Sequence, residues 1–235
     1  MKLSTFLEML TEIELSQHIF GGLDEDGRLL KWYELTNLIN RGLEDLHTRF
    51  LIKKGELYLN VDTCVRERYD VSDESLILTE DVPLNIIKIL EVWDECGEQM
   101  HFNTIHRRRG CGDVCRNEIQ MLDKTTLIFN RCCGCFKVIY HKGPELLEKP
   151  ASVERFQPEK MELDISLEYI DALIYYVVSR LFSINPPMEG YAAPYSPSVT
   201  YSRKYEEECQ RLKDLNFEID GTGDVSQRFY DSTFP

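Results

Sequence analysis

Apolar residues recur at helical spacing near both ends of the chain and at strand spacing in its middle, and this division limits the possible folds most. From Leu29 to Lys54 they form one stripe at intervals of three and four residues, with polar residues between them. The stripe consists of Trp32, Leu35, Leu38, Ile39, Leu43, Leu46 and Phe50. Residues 56–61 then alternate as a half-buried strand does. Because amphipathic helices must bury their stripes, we expect the terminal helices to pack on each other.

The same periodicity predicts further helices on either side of the middle. They cover residues 4–19, 170–182 and 197–215. Thr5 and Glu8 have the spacing of a capping box. Asn185-Pro186-Pro187 ends the helix that covers residues 170–182, since proline cannot continue the hydrogen-bond ladder. Ser196-Pro197 is a favourable start for the helix that covers residues 197–215. Gly55 is the predicted stop of the helix that begins at Leu29.

Short runs rich in Ile, Val and aromatic residues predict more strands in the middle. They cover residues 75–79, 84–93, 117–121, 125–129 and 136–140. Asp123-Lys124 predicts a hairpin turn. Residues 56–142 are therefore expected to be β-rich, and Gly143 to Pro158 to form a linker.

Together these elements predict an α+β protein. We expect a helical bundle formed by N- and C-terminal helices, with an inserted β-rich domain and an extended C-terminal arm. The predicted parts are an N-terminal helical part (1–55), a β-rich insertion (56–150), a C-terminal helical part that packs on the first (151–215) and the arm (216–235).

The arm, Asn216 to Pro235, is too rich in Gly, Ser and Thr to build a core by itself. It nevertheless carries spaced large apolar residues, which a purely solvated tail usually lacks. They are Phe217, Ile219, Val225, Phe229, Tyr230 and Phe234. Such segments become ordered on a partner and use these side chains as anchors, so the six residues are the predicted partner interface. The alternative is that the arm folds back on its own domain.

Charge limits the possible partners. The chain has 41 acidic and 27 basic residues, a net charge of −14 and a pI near 4.9. Tight wrapping of nucleic acid is disfavoured, because phosphate contacts need Lys and Arg. An acidic wall suits a conduit that DNA passes through, although it is also an ordinary means of staying soluble. No run approaches the roughly 20 apolar residues of a membrane helix, and Glu8 and Glu12 interrupt any signal-peptide core, so we expect a cytosolic protein without a membrane partner.

Eight cysteines are many for such a chain, and five of them lie between Cys111 and Cys135. Four thiolates could hold zinc tetrahedrally, and the weak candidates are Cys111, Cys115, Cys132 and Cys135. Their spacing fits no usual zinc pattern, so free thiols and a disulfide remain open alternatives. No cofactor or metal is therefore predicted.

The only dense basic run is Arg107-Arg108-Arg109. It fits a solvated hairpin tip as well as a contact with an acidic partner ring or passing DNA. No catalytic signature is visible: there is no P-loop, dinucleotide-binding turn, nucleophile elbow or H-E-x-x-H motif. The five histidines form no recognisable triad, so we expect a protein that is not an enzyme.

Several segments carry a resemblance to a known family. They are LKWYELTNLINRGLEDLHTRFLIKKGELYL, DVPLNIIKILEVWDECG, NEIQMLDKTTLIF, LEYIDALIYYVVSRLF and SVTYSRKYEEECQRL. In order and scattered identities they resemble the head-to-tail adaptors of short-tailed bacteriophages, also called tail tubular protein A or neck connectors. The resemblance extends from about Leu29 to the end, and the cysteine-rich stretch and the long first helix depart from it.

The resemblance implies a structural virion protein of the phage neck, assembled in the host cytoplasm. Its copies would form a ring, in that family a dodecamer, beneath the portal protein. The arm, carried over as Phe217 to Pro235, would grip the portal, and the β-rich part would face the downstream tail (nozzle) protein. Genomic DNA would pass through without sequence-specific binding. The competing hypothesis is a cytosolic zinc-binding interaction module built on Cys111 to Cys135.

Overall fold

The computed structural model describes residues 1–12, 21–62, 68–71, 85–103, 118–129, 133–184 and 197–215. These residues form a mixed α+β protein of two compact units. The helical unit contains Met1–Phe50 and the chain from Pro144 through the last helix, and the β unit contains Leu51–Gly143. The boundaries lie at 50/51 and 143/144, where the sequence led us to expect 55/56 and 150/151.

The helical unit contains helices α1 (Leu3–Glu12), α2 (Glu25–Arg49), α3 (Ile170–Ile184) and α4 (Pro197–Asp214), with 3-10 turns at Val153–Arg155 and Leu167–Tyr169. Backbone contacts, rather than a Thr5 cap, hold the start of α1: Leu3 N–H donates to Met161 O at 2.9 Å and Ser4 N–H to Pro158 O at 3.2 Å. Residues 13–19 of the predicted first helix lie outside the described residues.

The predicted stripe of α2 is confirmed, but its predicted ends are wrong. Five stripe residues are at most 2% exposed, namely Leu35, Ile39, Leu43, Leu46 and Phe50. The helix starts four residues before Leu29, because Asp24 caps it by accepting a hydrogen bond from Gly27 N–H at 2.8 Å. It stops at Arg49, where Phe50 adopts extended backbone angles and its N–H bonds to Leu46 O.

Helix α3 is the centre of the helical unit, since it contacts both α2 and α4. It is buried on almost all sides, which matches its strongly apolar sequence. Gly42 of α2 allows the close approach: a Cβ there would lie 2.6 Å from Leu173 Cδ1 and 2.9 Å from Tyr176 Cδ1.

A charged network joins the end of α2 to α4. The Tyr205 hydroxyl donates to Asp45 Oδ2, and Arg49 Nε lies 2.8 Å from the same oxygen. Arg49 Nη1 lies 2.8 Å from Glu206 Oε2, and its guanidinium carbon is 5.1 Å from the centre of the Tyr205 ring. Tyr205 is only 4% exposed, so burial and then the Asp45 hydrogen bond raise its pKa above the ordinary 10.0.

The raised pKa of Tyr205 predicts alkaline instability. The unfolded chain loses the phenolic proton near pH 10.0 while the folded chain keeps it, so this contribution is complete below pH 10.0 and lost above it. Tyr205→Phe should flatten the alkaline fall of the free energy of unfolding by one proton, about 1.4 kcal/mol per pH unit. It should also cost about 1 kcal/mol at neutral pH through the lost hydrogen bond.

Urea titrations followed by circular dichroism from neutral pH to above pH 10 would measure both effects. Asp45→Asn is the companion variant: it keeps the buried phenol, and burial is the largest cause of the raised pKa, so most of the alkaline fall should remain. Parallel pH profiles for Tyr205→Phe and the native protein would contradict the prediction.

The segment predicted as a linker, Gly143 to Pro158, is instead packed for most of its length in the helical unit. The Asn40 side chain forms two bonds with the Leu147 backbone, donating to its carbonyl and accepting from its N–H, each at 2.9 Å. The Tyr33 hydroxyl donates to Pro150 O at 2.9 Å, and its ring meets Phe156 edge-on at 5.8 Å. These partners lie more than 100 positions away in sequence, so local patterning could not indicate them.

The β unit contains strands β1 (Lys53–Asp62), β2 (Arg68–Asp70), β3 (Ile86–Trp93), β4 (His101–Asn103), β5 (Glu118–Met121), β6 (Thr126–Phe129) and β7 (Cys133–Lys142). One sheet has the order β1-β7-β3 and is antiparallel. The other has the order β2-β6-β5-β4, in which β4 and β5 run parallel. Both sheets contribute to one hydrophobic core, where the rings of Phe129 and Phe136 pack at a tilt of 49° with their centres 4.8 Å apart.

Most predicted strands within the described residues are confirmed, and the hairpin at Asp123 is as expected. The Asp123 carboxylate accepts from the N–H groups of Thr125 and Thr126, which lowers its pKa. Residues 75–79 lie outside the described residues. Gly55 is not a helix stop: it lies in β1, directly opposite Tyr140 of β7.

Candidate functional site

The two sites predicted from the sequence lie largely outside the described residues. All six anchor residues of the arm do, as do Arg107–Arg109 and the cysteines Cys111, Cys115 and Cys132. Of the four zinc candidates only Cys135 is described, as a partly exposed free thiol. Among the described residues, no three His, Cys, Asp or Glu side chains form a group able to hold a metal ion.

A cleft of about 570 Å³ lies on the β unit, on the face of the three-stranded sheet opposite the core. Strand alternation creates this face: Leu57, Leu59 and Val61 of β1 point into the core, while Tyr58 between them is 42% exposed. On the central strand, Phe136, Val138 and Tyr140 are buried. The alternate residues Cys135, Lys137 and Ile139 line the cleft.

The floor of the cleft is a row of three side chains across the sheet. Lys137 on β7 is directly opposite Tyr58 on β1 and Trp93 on β3. The ammonium group of Lys137 lies 2.9 Å from Glu56 Oε2, and this hydrogen bond raises the pKa of the lysine. An aromatic ring therefore lies on each side of a lysine that already has an acidic partner.

The end of the cleft is formed by the turn after β3. Asp94 Oδ1 accepts hydrogen bonds from Cys96 N–H at 2.9 Å and Glu98 N–H at 2.7 Å, which closes the turn. Gly97 allows this turn with φ of 78°. Glu95 reaches across to β7, where its Oε1 accepts from Cys135 N–H at 2.5 Å.

Gly134 makes that reach possible. Its φ is 143°, and a Cβ at this position would lie 3.0 Å from Glu95 Oε1. The two carboxylates are thus held by backbone N–H groups, each through one oxygen. Within the described residues their second oxygens, Asp94 Oδ2 and Glu95 Oε2, have no hydrogen-bond partner, so they can accept from a ligand.

The arrangement is suited to binding a side chain that is both flat and positively charged. The lining groups are aromatic rings, an aliphatic side chain and fixed carboxylates. Glu91 is a further carboxylate beside the cleft, and it accepts a hydrogen bond from Trp93 Nε1 at 3.0 Å. Such surroundings favour cations by ring–cation attraction and by charge-assisted hydrogen bonds.

Local sequence patterns do not predict this cleft. Its residues come from three strands separated by up to about 80 positions, and only the register of the sheet brings them together. The one local signal is the alternation itself, which places Tyr58 and Lys137 on the face away from the core.

No family model matches the chain, and no curated protein matches it. Among the described residues, no helix has both the length and the apolar character that crossing a membrane requires.

Proposed function

We propose that this chain is a structural subunit of a bacteriophage neck, where copies form a ring that joins the portal to the tail. The observation that supports this most is the construction of the helical unit from both ends of the chain, with the β unit inserted between Phe50 and Pro144. Helix α3, from the C-terminal part, contacts both α2, from the N-terminal part, and α4. This agrees with the element order of the phage adaptors that the sequence resembles.

The position of α4 supports a gripping role for the arm. Helix α4 packs along α3 and ends at Asp214, followed by an exposed Leu215. The arm, residues 216–235, therefore leaves from a helix anchored by the Tyr205–Asp45 bond and by buried Cys209 and Leu212. In the proposed assembly, its six apolar anchors bind the portal protein.

Multiplicity provides the strength of the joint. Burial of the apolar anchors favours binding, but the conformational entropy lost when the arm becomes ordered offsets much of this gain. A single arm is therefore a weak contact. A closed ring, a dodecamer by resemblance, holds many arms against many sites and converts weak contacts into a stable joint.

The remaining contacts follow from the resemblance and the charge. The β unit would face the downstream tail (nozzle) protein, and genomic DNA would pass through the ring without sequence-specific binding. A net charge of −14 per copy repels the DNA backbone, which favours passage over adhesion. The protein would assemble in the host cytoplasm and remain in the virion.

Deleting residues 216–235 tests this function. The truncated protein should keep the circular dichroism of the full chain but fail to join its cognate portal, as measured by sedimentation and electron microscopy of the mixture. Phe229→Ser with Tyr230→Ser should weaken the joint at least tenfold, whereas the control Ser226→Ala with Ser232→Ala should not. Undiminished joining by the truncated protein would refute the gripping role.

A further inference from the structure

The cleft of the β unit has more negative charge than its own residues neutralise. Asp94 and Glu95 line it, with Glu91 and Glu56 beside it. Among the described residues that line it, Lys137 is the one basic side chain, and it is already bonded to Glu56. An additional cation would therefore be attracted, and the rings of Trp93 and Tyr58 offer faces for it.

A guanidinium group fits this cleft better than an ammonium group. The guanidinium group of arginine is planar, so it can stack on an indole ring while its N–H groups reach neighbouring carboxylates. Asp94 and Glu95 are already fixed by backbone N–H groups, so little ordering is needed when the cation arrives.

The chain itself carries a matching segment. Arg107-Arg108-Arg109 is the one run of three consecutive basic residues in the sequence, and no acidic residue occurs from Gln99 through Gly112. In a chain with 41 acidic and 27 basic residues, this concentration of positive charge is the complement of the acidic cleft.

We infer that the cleft binds an arginine of the 107–109 run of a second copy of this chain. The run follows β4, which belongs to the four-stranded sheet, whereas the cleft lies on the outer face of the three-stranded sheet. Pairing the cleft of one copy with the run of the next gives a head-to-tail contact. A head-to-tail contact forms a ring when the rotation between successive copies closes, so the inference names a contact within the proposed ring and rests on that function.

Charge reversal tests the contact without any portal present. The cleft variant carries Asp94→Lys and Glu95→Lys, and the run variant carries Arg107→Glu, Arg108→Glu and Arg109→Glu. Analytical ultracentrifugation of the full-length proteins at low salt should show self-association weakened at least tenfold in either variant. The control, Glu154→Lys with Glu159→Lys, makes the same charge change as the cleft variant at exposed positions of the helical unit and should associate as the native chain does.

Mixing distinguishes a contact between copies from one within a chain. An equimolar mixture of the two variants restores both complementary pairings and should associate, as should a chain carrying all five changes. A cleft variant that behaves like the control, a mixture that stays dissociated, or a native chain that stays monomeric at all concentrations would overturn the inference. Portal joining through the arm is measured separately, so either result can fail alone.

Discussion

Leu173→Ala is expected to lower the free energy of unfolding of the helical unit by about 3–4 kcal/mol, in the middle of the range for buried leucines. Leu173 is fully buried in the central helix, and its Cδ1 lies against Gly42 of α2. Because glycine has no side chain, nothing on α2 can move in to fill the space. The cavity should therefore persist, and its cost should be measurable by urea denaturation.

A second substitution at Gly42 distinguishes this packing from a general weakening of the helix. In the native chain, Gly42→Ala places a Cβ 2.6 Å from Leu173 Cδ1, so overpacking opposes the roughly 1 kcal/mol gained in helix propensity. In the Leu173→Ala background the shorter of the two contacts is gone and only Tyr176 Cδ1, at 2.9 Å, still has to shift, so the effect of Gly42→Ala should be more favourable there by about 1 kcal/mol or more than in the native chain. Asn37→Ala, at an exposed position of α2, is the control and should have one effect in both backgrounds. Equal effects of Gly42→Ala in both backgrounds would contradict the close packing.

The packing of α2, α3 and α4 bears on the proposed joint because α4 precedes the arm. Leu173→Ala should loosen α3 against its neighbours, whereas arm substitutions such as Phe229→Ser should leave the helical unit intact. A loss of portal joining together with a lowered unfolding free energy would then indicate damage to the helical unit. A loss of joining with an unchanged unfolding free energy would indicate damage to the interface itself.

Local sequence patterns predicted the elements whose burial is periodic. The stripe from Leu35 to Phe50 buries one face of α2, and the apolar run from Ile170 to Phe182 forms α3. The turn at Asp123 was predictable because its side chain bonds to N–H groups only two and three residues away. In each case the deciding interactions are close in sequence or repeat with the period of the element.

Distant interactions decided the features that the sequence did not predict. Gly143 to Pro158 lacks periodicity, yet Leu147 and Phe156 are buried because Asn40 and Tyr33 of α2 bond to this segment. The cleft depends likewise on the register that places Tyr58, Lys137 and Trp93 in one row. The predicted anchors of the arm, Phe217 to Phe234, remain a prediction from composition.

Substitutions at Gly55 distinguish experimentally between a glycine that stops a helix and a glycine within strand β1. A glycine that stops a helix adopts a positive φ, where asparagine is the next best residue. In the structure Gly55 is not among the described glycines with positive φ, and the ring of Tyr140 lies over it. A Cβ here would lie 2.5 Å from Tyr140 Oη and 2.6 Å from Cε2, so asparagine should not be tolerated.

Gly55→Asn and Gly55→Val are each expected to lower the free energy of unfolding of the β unit by about 3 kcal/mol, because the buried Tyr140 ring must move out of the core. Truncating the ring should relieve this: in a Tyr140→Leu background, Gly55→Val should cost less than about 1 kcal/mol, since valine then fills part of the vacated space and favours the strand. Asn60→Val, at an exposed position of β1, is the control and should have the same small effect with or without the ring. Tolerance of asparagine at position 55, with no coupling to Tyr140, would favour the helix stop instead.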